Sequence, residues 1–254
     1  SRCDWSSDVC SSDLSDKSSD IISCFSRLLK KAGVEIILNK EVTHIITEEG
    51  RAAGVLLSDG KKISADAIVL ATGGLSYAST GSTGDGHRMA RELGHTVTPC
   101  FPALVPVNTK EDWCRTLQGL SLKNVTFTVK DGKKKLYEDF GEMLFTHFGI
   151  SGPLVLSASS KIVKKLDKNP LSAFIDLKPA LTDEQLDARL LRDFSQEKNK
   201  QFKNALNGLF PAGLEEKIVI FSGINPNKKV NAITKKERAN LVSLTKNLPL
   251  PIFS

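Results

Sequence analysis

Aromatic residues are scarce: two tryptophans, two tyrosines and twelve phenylalanines make up only 6% of the 254-residue chain. Its lysines therefore have no aromatic neighbours of the kind on which single-stranded nucleic acids stack their bases. Long hydrophobic runs are missing too. Stretches such as Ala67 to Ala71 fall far short of the ~18 apolar residues that a membrane span needs. No basic start followed by an apolar stretch marks a secretory signal. The five cysteines stand at irregular spacing without a CxxC or CxxH pair, which excludes a disulfide framework and a zinc site. These absences point to a reducing, cytoplasmic setting. What is present, 40% hydrophobic and 25% charged residues, is ordinary globular composition, enough for one large domain or two modest ones.

The first 14 residues, SRCDWSSDVCSSDL, follow no helical or strand period. Ser7 to Leu14 resembles the translated end of a sequencing adapter, so the segment reads as a non-native scar to be kept out of fold reasoning. It carries Arg2 against Asp4, Asp8 and Asp13, a net of −2, so the formal charge of the remainder rises from +6 to +8. That excess is spread over Lys161, Lys164, Lys165 and Lys168 on one helix and Lys228, Lys229, Lys235 and Lys236 further on. Such lysines read as solvated helix faces. The expected partner is a small-molecule substrate, with no nucleic acid and no membrane, and the oligomeric state is not readable.

From residue 19 to 33 the chain predicts a helix capped by Ser18 or Ser19, with Ile21, Ile22, Phe25, Leu28, Leu29 and Ala32 on one face and Gly33 ending it. Val34 to Leu38 reads as a buried strand. Glu41 to Thr47, Ala52 to Leu57 and Lys61 to Ser64, joined through Glu49-Gly50 and Asp59-Gly60, read as an antiparallel meander. The meander leads to the apolar strand Ala67 to Ala71, and a glycine-rich run, Gly73 to Gly86, opens a helix with Ser82 at capping distance from Asp85. Beyond the proline-marked stretch Pro99 to Pro106 the texture turns to β: Val125, Phe127 and Val129 alternate, Asp131-Gly132 turns the chain, and a helix starts at Pro153. From Thr182 the pattern is helical, with capping boxes at Thr182–Gln185 and Thr234–Glu237 and apolar stripes Leu186/Leu190/Phe194, Phe202/Leu206/Leu209 and Leu214/Ile218/Phe221. The ending, Leu248-Pro249-Leu250-Pro251-Ile252, shows nothing that closes the architecture and reads as a truncation.

The most informative stretch is DAIVLATGG, Asp66 to Gly74: an apolar strand running into small residues, where backbone can approach a ligand closely beyond the strand's carboxyl end. Together with the preceding meander, the segments Ala71 to Val107, Gly141 to Pro153 (GEMLFTHFGISGP) and Lys203 to Ile218 resemble the bacterial aminoacetone-oxidase-like FAD-binding flavoproteins, over about Ser15 to Phe253. The resemblance implies an α/β fold: a partial, Rossmann-like FAD-binding domain with a β-meander over residues 15–101, an inserted β-barrel-like domain over 102–181, and a helical subdomain over 182–254. It implies an FAD-dependent oxidoreductase working by electron or hydride transfer, with NAD(P)H as a candidate reductant. By resemblance Val42 lies near the adenine, and Ala71, Thr72, Gly73 and Gly74 line the ribose and diphosphate.

The family opens on a strand with a glycine fingerprint and ends on a glycine-rich segment that returns to the flavin; neither is found here. Gly84-Asp85-Gly86 supplies only two glycines of G-x-G-x-x-G, after a loop. The chain therefore reads as an interior fragment, expected to be inactive and colourless by itself. No catalytic side chain and no metal ligand is assigned. Ser76, Ser79, Thr80 and Ser82 are weak candidates to face the flavin. The alternatives are a flavin-fold binding protein without turnover and a serine hydrolase using His147 and Ser151, although Gly149-Ile150-Ser151-Gly152-Pro153 lacks the last glycine of G-x-S-x-G.

Overall fold

The computed structural model describes residues 17–253, and the scar assigned to residues 1–14, with Cys3, Trp5 and Cys10, lies outside them. The chain divides into two compact units, Ser1–Pro99 and Cys100–Ser254.

The first unit contains α1 (Ser18–Lys31), β1 (Val42–Glu48), β2 (Arg51–Leu57), β3 (Lys62–Ser64) and α2 (Asp85–Glu92). The meander is there, as an antiparallel sheet in the order β1-β2-β3. Glu49 and Gly50 both take positive φ, 51° and 78°, as a two-residue type I′ hairpin demands, and Glu48 faces Arg51 across it. At the second turn the Lys61 N–H donates to Asp59 Oδ1 at 3.0 Å.

Two expected strands are not strands. Neither Val34 to Leu38 nor Ala67 to Ala71 pairs with another segment among the described residues, and Val69 is 89% exposed. A strand is defined by its ladder, and apolar character alone cannot supply one; the Val34 N–H turns back to the Leu29 carbonyl at 3.0 Å instead. The stripe of α1 has the expected spacing but not the expected burial. Ile22 and Phe25 are exposed, and only Cys24 is buried on that helix. Neither serine caps it: Lys17 stands at the N-cap position, without a side-chain capping bond.

The second unit is built on β4 (Val107–Thr109), α3 (Asp112–Thr116), β5 (Ser121–Asp131), β6 (Lys134–Phe145), β7 (Gly149–Ser151), α4 (Pro153–Leu166), β8 (Leu171–Asp176), α5 (Asp183–Gln196), α6 (Leu214–Ser222), α7 (Lys235–Lys246) and β9 (Leu248–Phe253). Six strands close a barrel in the order β4-β7-β6-β5-β8-β9, with β9 back on β4. Alternation fills it: Val125, Phe127 and Val129 of β5 point inward with Phe145, Ile150 and Ile175, each contributing about 1.5–3 kcal/mol by burial. Both capping boxes form, at Thr182 with Gln185 and at Thr234 with Glu237. The helices share one apolar core with the barrel.

Two readings are corrected here. Phe202, Leu206 and Leu209 are buried as expected, but only Phe202–Asn204 forms a 3₁₀ turn, and Gly208 at φ 81° breaks the path. The proline-alternating end is β9, the strand that closes the barrel. It pairs with β8 from Leu248 to Ile252 but meets β4 only at Ile252 and Phe253. One edge is thus free of ladder bonds at Pro249 and Pro251, where proline is tolerated in a sheet, while Leu248, Leu250 and Ile252 fill the interior.

Candidate functional site

In the first unit α2 joins the two stretches singled out in the sequence. On one side it is tied to β1: Arg88 Nη1 donates to the Thr43 carbonyl at 3.0 Å and to Glu92 Oε1 at 2.7 Å. His44 Nδ1 lies 3.0 Å from Glu92 Oε2. Arg88, and after it His44, hold the Glu92 carboxyl below its usual range. His44 thus helps tie the helix to its strand. Val42, half-buried, opens β1 opposite Leu57.

On its other side the start of α2 packs against the glycine-rich loop. A Cβ on Gly86 would run into the Thr72 hydroxyl, one on Gly84 would lie 2.5 Å from Leu75 Cδ2, and one on Gly73 would lie 2.9 Å from Ser82 Oγ. Gly73 sits at φ 74°, a conformation that glycine adopts without strain. Gly84, at φ 87°, is the N-cap of α2, and it has no side-chain cap. Ser82 is therefore not the cap its spacing suggests. The nearby hydroxyl of Thr83 bonds the Asp85 carboxylate instead.

Ala71, Thr72 and Gly73 are exposed and Gly74 is half-buried. Nothing lies within 4 Å of where a Cβ on Gly74 would point. Among the described residues no main-chain N–H between Asp66 and Ser79 donates to a protein acceptor. Such groups demand partners from water or a ligand. Residues 66–87 contain no lysine or arginine, so an anion here would meet backbone donors only. The loop suits a dinucleotide in one respect: its small residues leave room for close backbone contact.

The second unit gives no support to a hydrolase. Ser151 lies on β7 paired with Leu144, His147 stacks edge-on against Phe148 at 4.8 Å, and no hydrogen bond joins the two. Cys114 is fully buried, and burial pushes its thiol up to about 11 against the opposing effect of the Thr109 hydroxyl. That thiol is inert at neutral pH. An apolar pocket of about 150 Å³ lies between residues 102–107 and α4. Of its two polar side chains, Asn108 and Ser159, the Ser159 hydroxyl is already engaged, accepting from the Val105 N–H at 3.0 Å and donating to the Leu156 carbonyl at 2.7 Å. Among the described residues no cluster of side chains could hold a metal, and no helix is long and apolar enough to cross a membrane.

The HI0933-like protein Rossmann domain matches residues 13–156, and the HI0933-like protein barrel and H2TH domain matches residues 101–253. The chain belongs to the HI0933-like family. The HI0933-like chain is 29% identical over 199 residues to a 3-dehydro-bile acid delta(4,6)-reductase of Clostridium scindens, covering 78% of this chain and 48% of that protein. It is 31% identical over 219 residues to a ribosomal RNA dihydrouridine synthase of Haemophilus influenzae, covering 84% and 50%. A second ribosomal RNA dihydrouridine synthase, from Escherichia coli, is 26% identical over 215 residues, again covering 84% and 50%. The chain therefore spans about half the length of the curated relatives it matches. Its Rossmann-like and barrel parts agree with the reading from sequence.

Proposed function

We propose that this HI0933-like chain is the FAD-contacting and barrel part of a flavin-dependent reductase acting on a double bond of an unsaturated ring. Val42 stands beside the adenine, and Ala71, Thr72, Gly73 and Gly74 run along the ribose and diphosphate. One observation carries this reading: among the described residues, the main-chain N–H groups around Gly73 and Gly74 donate to no protein acceptor. Bound FAD supplies the hydride chemistry, with NAD(P)H as reductant. The chain's own residues hold and orient. Thr72 and Leu75 seat the loop on α2, and Arg88 keeps α2 on the strand that begins at Val42.

The relatives' names support the ring. A delta(4,6)-reductase and a dihydrouridine synthase both describe the addition of hydrogen to an unsaturated ring. They also describe two carriers of such a ring, a free small molecule and a base within RNA. The sequence expectation favours the first. Ala71 to Val107 and Gly141 to Pro153 support the finer aminoacetone-oxidase-like placement, and the free cysteines support a cytoplasmic one.

The test is titration of the chain with FAD, read by flavin fluorescence, for the parent and for Gly74→Val. The valine projects into open space, so the melting temperature stays the same while affinity falls at least tenfold. Equal affinity in parent and variant overturns the assignment.

A further inference from the structure

Lys161, Lys164, Lys165 and Lys168 fall at i, i+3, i+4 and i+7 around α4 and its last turn, which puts them on one face. The adjoining face, with Leu154, Val155, Ala158, Ile162 and Leu166, is buried in the core. The β5–β6 hairpin adds four more lysines. Lys130 stands directly across from Lys135, Asp131 from Lys134, and Lys133 sits in the turn. Lys165 Nζ reaches Asp131 Oδ2 at 2.7 Å and so brings helix and hairpin together. Between them lies an open groove of about 340 Å³, lined by Asp131, Lys164, Lys165, Lys168, Asn169 and Leu171.

Only two of the eight lysines are neutralised: Lys165 by Asp131, and Lys135 by Glu138 at 2.7 Å. The other six make no ion pair among the described residues. Like charges facing one another across a strand pair are destabilising, so this end of the barrel keeps its charge at a cost in stability. Two of the ammonium groups are also held in place by rings, Lys130 at 5.0 Å from the Phe174 centroid and Lys164 at 5.2 Å from that of Phe101.

We propose that this end of the barrel docks the phosphate backbone of an RNA. The lysines on α4 run about 10 Å along its axis, which suits several successive phosphates better than one small anion. No free aromatic ring borders the groove, so the contact is with the backbone and carries no sequence information. A membrane surface fits poorly, because the apolar side of α4 is already spent in the core and cannot insert. Of the two ring carriers left open above, this surface selects the polynucleotide. The sequence reading leaves nucleic acid out because the lysines of α4 and those from Lys228 onward look scattered and lack interleaved aromatics, and it does not weigh the hairpin lysines. The hairpin and helix meet only in the folded barrel.

Docking is tested without flavin, so its failure is distinct from failure of the FAD reading. The chain is titrated against a short fluorescein-labelled single-stranded RNA and followed by anisotropy. Four phosphate contacts give a slope near −3 in log affinity against log salt, a loss of roughly fifty-fold between 50 and 200 mM. Lys134→Ala/Lys164→Ala/Lys168→Ala lowers the steepness by about two and weakens binding more than tenfold at low salt. Lys217→Ala/Lys235→Ala/Lys236→Ala, with the same net charge, changes binding less than threefold. Equal losses in the two triple variants overturn the proposal, as does failure of the parent chain to bind at low salt. Loss of binding to phosphatidylserine vesicles in the first variant, with RNA binding intact, would mark the surface as a membrane site and overturn it too.

Discussion

Gly149 is where the barrel has least room, and Gly149→Ala is the most direct test of its closure. A Cβ at this position of β7 would strike the Val107 carbonyl oxygen and lie 2.8 Å from Thr109 N and 2.9 Å from Asn108 Cα. All three are main-chain atoms of β4, so no side chain can swing aside. Overpacking of this kind costs about 1–3 kcal/mol. Pushing β4 outward also weakens its short ladder with β7, held at Val107↔Ile150 and Asn108↔Gly149, at about 1 kcal/mol per hydrogen bond. The expected loss is about 3–5 kcal/mol, or roughly 6–20 °C in melting temperature for a unit of this size. Trp113 is the reporter: its ring lies 5.7 Å from Phe145 and 5.3 Å from Phe221. In a Trp5→Phe background it is the chain's one tryptophan, so its fluorescence follows the barrel unit. Gly208→Ala is the control, since Gly208 has positive φ but open space around it. Should Gly149→Ala melt no lower than Gly208→Ala, the close approach of β7 and β4 is wrong.

Thr182→Ala removes the hydroxyl that accepts the Gln185 N–H at 3.3 Å and should lower stability by about 0.5–2 kcal/mol. Urea midpoints measure this, and an unchanged midpoint denies the cap its role. The Glu237 carboxyl is held down to about 2, from the usual 4.5, first by Lys228 and then by the N–H and hydroxyl of Thr234. Because its folded value lies below its unfolded one, its contribution is complete above pH 4.5 and is lost as the pH falls towards 2. Urea midpoints taken across that window should fall more steeply for the parent than for Glu237→Gln, and parallel curves would contradict the sign.

Local chemistry made much of the fold legible. Glu49-Gly50 and Asp131-Gly132 mark their hairpins, Pro153 opens α4, and both threonine capping boxes stand where their spacing puts them, because each signal is complete within four or five residues. Failures came where the outcome depends on distant partners. Val34 to Leu38 and Ala67 to Ala71 have strand composition, but a ladder needs a neighbour that composition does not reveal. The segment Leu248 to Ile252 shows nothing in sequence that closes the architecture, and only its one-sided pairing with β8 makes it a strand of the barrel. At the candidate site the small residues Ala71 to Gly74 were readable from their type. Their anchoring by Thr72 on Gly86 and by Arg88 on Thr43 was not, since both contacts span sequence distances that no motif covers.

The pairing of β9 with β4 also sets an order of events. Asn108 and Phe253, neighbours across that seam, are 145 residues apart in the chain, so closure is the most non-local contact of the barrel and should form late. During synthesis the first five strands must wait on the ribosome with an open seam until the proline-alternating tail emerges. That unpaired edge is where a nascent chain is most exposed to mispairing. The same adjacency brings the two ends of the barrel unit out side by side, the arrangement by which one domain can be spliced into a loop of another without prying its host apart.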